Sequence, residues 1–198
     1  MGLEINYIDG QTPLDEDEKE GLLIKTISTR GELDEFEQKN IEDALSWILS
    51  RRFKLENVLT ESFVKNIHYK MYGDVWKWAG KFRDSNKNIG VDKFEIGVEL
   101  KVLLDDARYW VEKETYEPDE IAIRFKHRVV SIHCFPNGNG RHSRMMADIL
   151  INKILGKDLF SWGSANLGKG GSDRKSYIES LRDADRGNIE PLLKFSRS

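Results

Sequence analysis

Residues 133–144, with the sequence HCFPNGNGRHSR, combine residue types that could together bind a phosphate and move a proton. The Gly-Asn-Gly turn allows positive φ and leaves backbone N–H groups uncovered, and a helix that begins after it adds partial positive charge. These groups form an anion site. Arg141 and Arg144 lie three positions apart, on the same side of that helix. They therefore offer forked donors to further phosphate oxygens.

Two more side chains of this segment could take part in a reaction. His133, at the start of the loop, could accept a proton from an incoming hydroxyl. Asn137 supplies a neutral oxygen that could bind Mg²⁺ beside the phosphates. Each residue also has an ordinary structural explanation, since a Gly-Asn-Gly sequence is usually a turn and a histidine after an apolar helix usually packs. The prediction of phosphoryl-linked group transfer to a hydroxyl therefore depends on the whole set.

The elements that position these residues are predicted to be mostly helical. Apolar residues recur at helical spacing over 33–51 and over 94–113. Thr60 is typical of a helix N-cap, and Pro118 is typical of the first turn of a helix that leads to His133. Further helices are predicted over two later segments, residues 141–155 and 174–184.

One segment differs from the helical pattern. Residues 82–94 are polar and alternate Ile89 and Val91 around Gly90, which favours a short β-hairpin. The predicted fold class is therefore mostly α with one small β element.

Composition places the chain among ordinary globular proteins. It has 198 residues, 39% hydrophobic and 33% charged, with a net charge of −3. This length predicts a single domain, and the acidic balance argues against direct nucleic-acid binding. The one cysteine, Cys134, excludes an internal disulfide and is expected to be a packed thiol. No apolar run is long enough to span a membrane, and the N-terminus lacks secretory-signal features, so a cytoplasmic location is expected.

Charge is distributed unevenly along the chain. Residues 11–50 hold eleven acids and four basic residues, whereas residues 124–153 hold six basic residues and one acid. This asymmetry indicates an anionic ligand at the basic segment, two solvated helix faces, or an acidic stretch that folds back on the basic one.

The loop segment resembles the signature of the Fic (filamentation induced by cAMP) family, HPFx(D/E)GNGRxxR. The matching positions are His133, Phe135, Gly138, Asn139, Gly140, Arg141 and Arg144. The sequence WAGKFR at 78–83 and the segment from Tyr177 to Leu192 are also similar to Fic proteins. With QTPLD at 11–15 and TRGEL at 29–33, the chain is similar to the bacterial group known as mobile mystery protein B. The resemblance implies a single Fic domain over residues 1–198.

A Fic domain implies AMPylation, the transfer of AMP from ATP to a hydroxyl side chain of a target protein. By motif position, His133 would be the general base, and Gly138, Asn139 and Gly140 would bind the α- and β-phosphates. Arg141 would hold the β-phosphate and Arg144 the γ-phosphate. The resemblance also implies three supporting parts: Phe135 as a buried anchor of the loop, Tyr177 as a nucleotide contact, and a hairpin flap over about 82–95 that docks the target protein by strand addition.

Two positions depart from the family pattern. Cys134 stands where proline is usual, which is expected to have little effect. Asn137 stands where an acid is usual, which should weaken the affinity for Mg²⁺ because a formal charge is lost.

The resemblance also raises the question of regulation within residues 1–50. Ser28 and Glu32 match an inhibitory pattern, (S/T)xxxE(G/N), except that Leu33 takes the last place. A Glu32–Arg144 ion pair would then block the γ-phosphate. Otherwise Glu32 is an ordinary exposed acid in a first helical turn, and a separate antitoxin protein is expected. The resemblance also suggests a DNA-binding partner protein.

Two alternatives stay open at the level of sequence. The chain could be a Fic-like phosphotransferase that uses another nucleotide donor, as in the Doc branch. It could be a non-catalytic nucleotide-binding or toxin-like module. A P-loop at residues 163–170 is disfavoured, because Gly170 replaces the Ser or Thr that binds Mg²⁺ and no strand is predicted before it.

Overall fold

The computed structural model describes residues 13–164 and 172–198. Most of the described chain is helical, as expected. The helices are α1 (Glu16–Glu20), α2 (Arg30–Leu49), α3 (Leu55–Val58), α4 (Glu61–Tyr72), α5 (Ile96–Glu112), α6 (Pro118–Ile132), α7 (Asn139–Ile149), α8 (Ser172–Asp185) and α9 (Glu190–Ser196). A π-helical turn (Leu150–Ile154) continues α7, and a 3₁₀ turn covers Trp162–Ser164. Most of the P-loop-like stretch and the residues Gln11 and Thr12 lie outside the described residues.

The helix boundaries follow local chemistry. The Thr60 hydroxyl accepts the Phe63 N–H at 3.2 Å and so caps α4. Pro118 occupies the first turn of α6, where its missing N–H leaves no hydrogen bond unmade. Both predicted helix starts are confirmed.

The motif-bearing helices lie in the middle of the helical packing. Helix α7 packs against α6 and α4, α5 packs against α6, and α2 packs against α4. A buried apolar cluster runs through these helices and includes the fully buried Ile67, Phe125, Phe135 and Met146. Because α6 and α7 are both held by this cluster, the loop between them has fixed ends.

The predicted β-hairpin at 82–95 is wrong. Residues 13–164 and 172–198 contain no β-strand. An isolated antiparallel β-bridge between Leu22 and Trp76 is the only β-type pairing in these residues. The segment is a loop whose turns are held by side chains. The Arg83 guanidinium donates to the carbonyls of Ser85 and Val91, which occupies acceptors that a ladder would need.

The helices of the described part of the chain also bear on membrane insertion. None of them is both long and apolar enough to cross a membrane.

Candidate active site

The loop between α6 and α7 is built on two left-handed backbone positions. Helix α6 ends at His133, which has φ 57°, and α7 begins after Gly138, which has φ 78°. The first helical hydrogen bond of α7 runs from the His142 N–H to the Gly138 carbonyl at 2.9 Å. The N–H groups of Asn139, Gly140 and Arg141 therefore have no acceptor within the helix. These are the groups that the sequence predicts to bind an anion.

The side chain of Asn139 locks the loop. Its oxygen accepts the Phe135 N–H at 2.9 Å, and its amide donates to the Phe135 carbonyl at 2.7 Å. Phe135 is fully buried, with its ring stacked on His68 at a centroid distance of 3.7 Å. The predicted role of Phe135 as an anchor is therefore confirmed. The side chain of Asn139 is occupied by these two bonds, so only its backbone N–H is left for the predicted anion site.

A second tether comes from His68 of α4. Its Nδ1 accepts the Gly80 N–H at 3.0 Å, so its Nε2 carries the proton and donates to the Asn137 carbonyl at 3.0 Å. Burial holds the pKa of His68 well below its usual range. A neutral His68 thus joins the WAGKFR segment to the motif loop.

Gly138 is required by packing as well as by its backbone angle. A Cβ at this position would lie 2.6 Å from the ring of Tyr72. The Tyr72 hydroxyl donates to the Gly138 carbonyl at 3.4 Å. Tyr72 therefore forms the wall behind the turn.

Asn137, the predicted Mg²⁺ ligand, already has a partner. Its side-chain oxygen accepts the Gly138 N–H at 2.6 Å. The described residues contain no group of three or more His, Cys, Asp and Glu side chains that could hold a metal ion. The described residues therefore do not fit a metal ion held by protein side chains alone.

His133 lies just before the anion site and is only 4% exposed. Burial, together with the charge of Arg83, lowers the pKa of His133 to about 4, although a hydrogen bond to the Val130 backbone opposes the shift. The imidazole is therefore neutral near pH 7 and able to accept a proton.

Arg83 fixes the backbone at His133. The side-chain Nε of Arg83 donates to the His133 carbonyl at 2.7 Å, and the backbone N–H of Arg83 donates to the Cys134 carbonyl at 2.9 Å. The Val91 N–H donates to the Ile132 carbonyl at 3.3 Å. The 82–95 segment therefore lies directly against the start of the motif loop, although it forms no hairpin.

The N-terminal part of the chain reaches the same segment. Lys87, whose side chain is 3% exposed, forms ion pairs with Asp15 at 2.8 Å and with Glu18 at 2.6 Å. The Ser85 hydroxyl also donates to Asp15. Asp15 and helix α1 thus hold the 82–95 loop through Lys87 and Ser85.

Arg141 is held by Glu37 of α2. The two side chains form an ion pair of 2.7 Å, and the other Glu37 oxygen accepts the Trp76 indole N–H at 2.7 Å. A cleft opens beside this pair and is lined by Leu14, Arg30, Leu33, Glu37, Trp76, Asn137 and Arg141. One acidic residue of the N-terminal stretch therefore does fold back on the basic segment.

Arg144 has different surroundings. Its guanidinium lies 5.4 Å from the ring centre of Tyr177, and it forms no ion pair with a carboxylate of the described residues. Lys126 of α6 lies on the same ring, with its ammonium 4.6 Å from the ring centre. Tyr177 is 5% exposed, so it lies inside the protein behind Arg144. Its contact with a nucleotide stays a prediction.

Ser28 and Glu32 lie at the start of α2, away from Arg144. The Glu32 carboxylate accepts the backbone N–H groups of Ser28 and Thr29 at 2.9 and 3.0 Å, which forms a capping box. The expected Glu32–Arg144 ion pair is not formed in the structure. The acid of α2 that reaches a motif arginine is Glu37, about one and a half turns further along.

Sequence reasoning missed Glu37, His68 and Lys126 as parts of this site. Glu37 and His68 contact the motif and Lys126 contacts Tyr177, each across a large separation in sequence that periodicity does not register. Arg83 did carry a signal, because it ends the WAGKFR stretch that resembles Fic proteins.

Comparison with known sequences agrees with the site. Residues 58–151 match the model of the Fic/DOC family. The protein adenylyltransferase Fic of Nematostella vectensis is 25% identical over 167 residues, which cover 82% of this chain and 37% of that protein. The Aedes aegypti protein of the same name is 23% identical over 159 residues, covering 78% of this chain and 30% of that protein. The chain thus spans about a third of the length of these curated relatives.

Comparison with solved structures shows the fold. The N-terminal Fic domain of a VirB-translocated effector protein from Bartonella quintana has a TM-score of 0.70 at 17% identity, covering 88% of this chain and 84% of that one. The BepC protein of Bartonella tribocorum, solved with bound AMPPNP, has a TM-score of 0.68 at 16% identity, covering 92% and 97%. Residues 58–151 thus match the Fic/DOC family model, and the chain shares the fold of solved Fic domains.

Proposed function

We propose that the chain is a protein adenylyltransferase that transfers AMP from ATP to a hydroxyl side chain of a target protein. The observation that carries the proposal is the junction of a neutral His133 with the N-terminus of α7 and Arg141 in one rigid loop. This loop joins a proton acceptor to a phosphate-binding site, as nucleotidyl transfer requires.

The chemical step can be written from these groups. The target hydroxyl attacks the α-phosphorus of ATP and gives its proton to the His133 imidazole. The bond between the α-phosphorus and the oxygen that bridges it to the β-phosphorus breaks, and pyrophosphate leaves. The N–H groups at the start of α7 would receive the charge that develops on the phosphate oxygens. Arg141 and Arg144 would hold the leaving pyrophosphate.

Two findings on related proteins support ATP as the donor. The relatives of Nematostella vectensis and Aedes aegypti carry the name protein adenylyltransferase Fic. The structurally similar BepC protein binds AMPPNP, an analogue of ATP, and a Bartonella quintana Fic domain binds ADP.

The proposal extends to the docking of the target. The loop at 82–95 lies against His133 and exposes Ile89 and Phe94, which are 47% and 84% accessible. A target segment that lies along this loop would bring its hydroxyl to the imidazole.

The proposal also includes membership of the mobile mystery protein B-like group. It is supported by the sequences QTPLD at 11–15 and TRGEL at 29–33.

The experiment that tests the function uses two forms of labelled ATP. The protein is incubated with a cell lysate, as the source of target proteins, and with ATP labelled at either the α- or the γ-phosphate. Because the lysate contains its own kinases, the label is compared with that of lysate alone, and AMP transfer predicts additional protein-bound label from the α-labelled nucleotide only. Additional label from the γ-position would instead show a phosphotransferase.

A further inference from the structure

The two motif arginines each lie over a buried tyrosine, but the charges around the two tyrosines differ. Arg141 lies 5.1 Å from the ring centre of Tyr72, and Arg144 lies 5.4 Å from that of Tyr177. Glu37 neutralises Arg141 through an ion pair of 2.7 Å. At Tyr177 the structure shows no such carboxylate among the described residues.

Tyr177 has a second cation beside it instead. Lys126 is 0% exposed, and its ammonium lies 4.6 Å from the ring centre of Tyr177. By distance and angle, neither the Lys126 ammonium nor the Tyr177 hydroxyl has a well-aligned hydrogen-bond partner among the described residues, yet Lys126 and Arg144 both lie close enough to the Tyr177 hydroxyl to lower its pKa. A buried ammonium without a negative partner is costly, and a nearby guanidinium adds to that cost.

Two carboxylates act on these cations through their charge, Asp185 on Lys126 and Asp148 on Arg144, but neither forms an ion pair with them among the described residues. Asp185 accepts a hydrogen bond from His127 at 2.8 Å, and Asp148 accepts one from the Trp162 indole at 3.1 Å. Against Tyr177, α6 therefore places Lys126, α7 places Arg144, and α9 places the uncharged ring of Phe195. The Tyr177 oxygen is the group in this cluster that can become negative.

We propose that Lys126 and Tyr177 are positioning residues for Arg144, and that they share one proton so that the Tyr177 oxygen acts as the counter-anion of both cations. The neutral pair, an amine beside a phenol, and the ion pair, an ammonium beside a phenolate, differ only in the location of that proton. The negative oxygen would hold the Arg144 guanidinium in place, as Glu37 holds that of Arg141. The role in nucleotide binding rests on the proposed function.

The electrostatic contrast between the tyrosines supports this assignment. Burial alone would raise the pKa of Tyr177, but the charges of Lys126 and Arg144 outweigh it and lower that pKa. Burial raises the pKa of Tyr72, where Glu37 offsets the charge of Arg141. The pKa values of these two buried tyrosines, each packed against a motif arginine, therefore shift in opposite directions.

A spectroscopic titration tests the inference without any nucleotide. The near-ultraviolet absorbance of tyrosinate is followed with pH in the wild type, Tyr177→Phe, Tyr72→Phe and Lys126→Met. We expect one tyrosine of the wild type to ionise below the ordinary tyrosine pKa of about 10. This component should be absent in Tyr177→Phe, kept in Tyr72→Phe and moved to higher pH in Lys126→Met. A wild-type titration identical to that of Tyr177→Phe below pH of about 10 would overturn the proposal.

A binding measurement tests the action through Arg144. Lys126→Met and Arg144→Ala should each weaken the binding of AMPPNP about tenfold, and the double variant should be little weaker than either one. Full additivity would show that Lys126 acts separately and would overturn its role. If Lys126→Met fails to fold, Tyr177→Phe, which keeps the ring and its packing, replaces it in the same double-mutant cycle with Arg144→Ala. Because the titration needs neither binding nor transfer, its result stands even if the proposed function fails.

Discussion

Glu37 of α2 and Arg141 of α7 form an ion pair of 2.7 Å that ties the N-terminal acidic stretch to the motif loop. Glu37 has its other oxygen on the Trp76 indole, so both of its oxygens are occupied. Arg141 gives one N–H to Glu37 and keeps further donors that can face a phosphate. The ion pair therefore orients the Arg141 side chain and leaves N–H donors that can bind a phosphate.

Removal of Glu37 should destabilise the protein. In Glu37→Ala, Arg141 loses its counter-charge and the Trp76 indole loses its acceptor. The expected loss is about 2–4 kcal/mol of unfolding free energy, less than for a fully buried pair because the Arg141 side chain is 33% exposed. Urea denaturation measures it. Glu42→Ala on the exposed side of the same helix is the control, and equal losses in the two variants would contradict the account.

Gly90 should be sensitive to the addition of a single methyl group. It has φ 103°, and a Cβ there would lie 2.7 Å from the Cβ of His133. Gly90→Ala is therefore expected to cost about 1–3 kcal/mol and to lower AMP transfer, because the loop must move away from His133.

The matched control is Gly97→Ala. Gly97 lies in α5, has no heavy atom within 4 Å of an added Cβ, and should gain up to about 1 kcal/mol from helix propensity. Urea denaturation and the transfer assay are applied to both variants. A neutral Gly90→Ala would show that the 82–95 loop does not pack on His133 in solution.

The amide of Asn139 should be irreplaceable by a carboxylate. Asn139→Asp can accept the Phe135 N–H, but it sets a negative oxygen against the buried Phe135 carbonyl. A loss of about 2–4 kcal/mol is expected, together with weaker nucleotide binding. Asn152→Asp is the control, since the Asn152 amide also donates to a carbonyl, that of Lys157 at 3.1 Å, but on the surface. A similar thermal shift in both variants would argue against a locked loop.

Stability should fall as the solution is acidified from about pH 7 to about pH 4, because of the buried histidines. Burial lowers the pKa of His133 and of His142 to about 4, and that of His68 well below its usual range. Below about pH 6.5 these histidines become protonated in the unfolded chain but stay neutral in the folded protein. Each of them therefore lowers the free energy of unfolding by about 1.4 kcal/mol per pH unit.

Asp148 should act in the opposite direction. Burial raises its pKa to about 6, so this carboxyl favours the folded state as the pH falls. Asp148→Asn should therefore make the acid loss of stability steeper. Urea denaturation at pH values between 7 and 4 measures both effects, and a wild-type stability that is constant or rises over this range would contradict the assignment of neutral, buried histidines.

Local features of the fold were predictable, because they depend on neighbours in sequence. Apolar periodicity found α2, α5 and α8 to within a few residues, and the N-cap at Thr60 and the helix start at Pro118 were correct. The helices α1, α3 and α9 have 5, 4 and 7 residues, too few to show a clear period.

The long-range parts of the site were not predictable in the same way. The alternation around Gly90 indicated a hairpin, but the buried Arg83 takes the carbonyls that strands would pair. The charge asymmetry suggested that the acidic stretch folds back, yet it could not distinguish Glu32 from Glu37. In the structure Glu32 satisfies the N-terminus of α2, whereas Glu37 lies on the face of α2 that packs towards Arg141.

The most direct test of the central claim compares two histidines of the same chain segment. His133→Ala and His127→Ala are assayed with α-labelled ATP and lysate, beside the wild type. His133 is the proposed proton acceptor, whereas His127 lies on α6 and bonds Asp185 at 2.8 Å. Label should reach protein in the wild type and in His127→Ala, and it should fall at least about a hundredfold in His133→Ala. Undiminished labelling by His133→Ala would contradict the account.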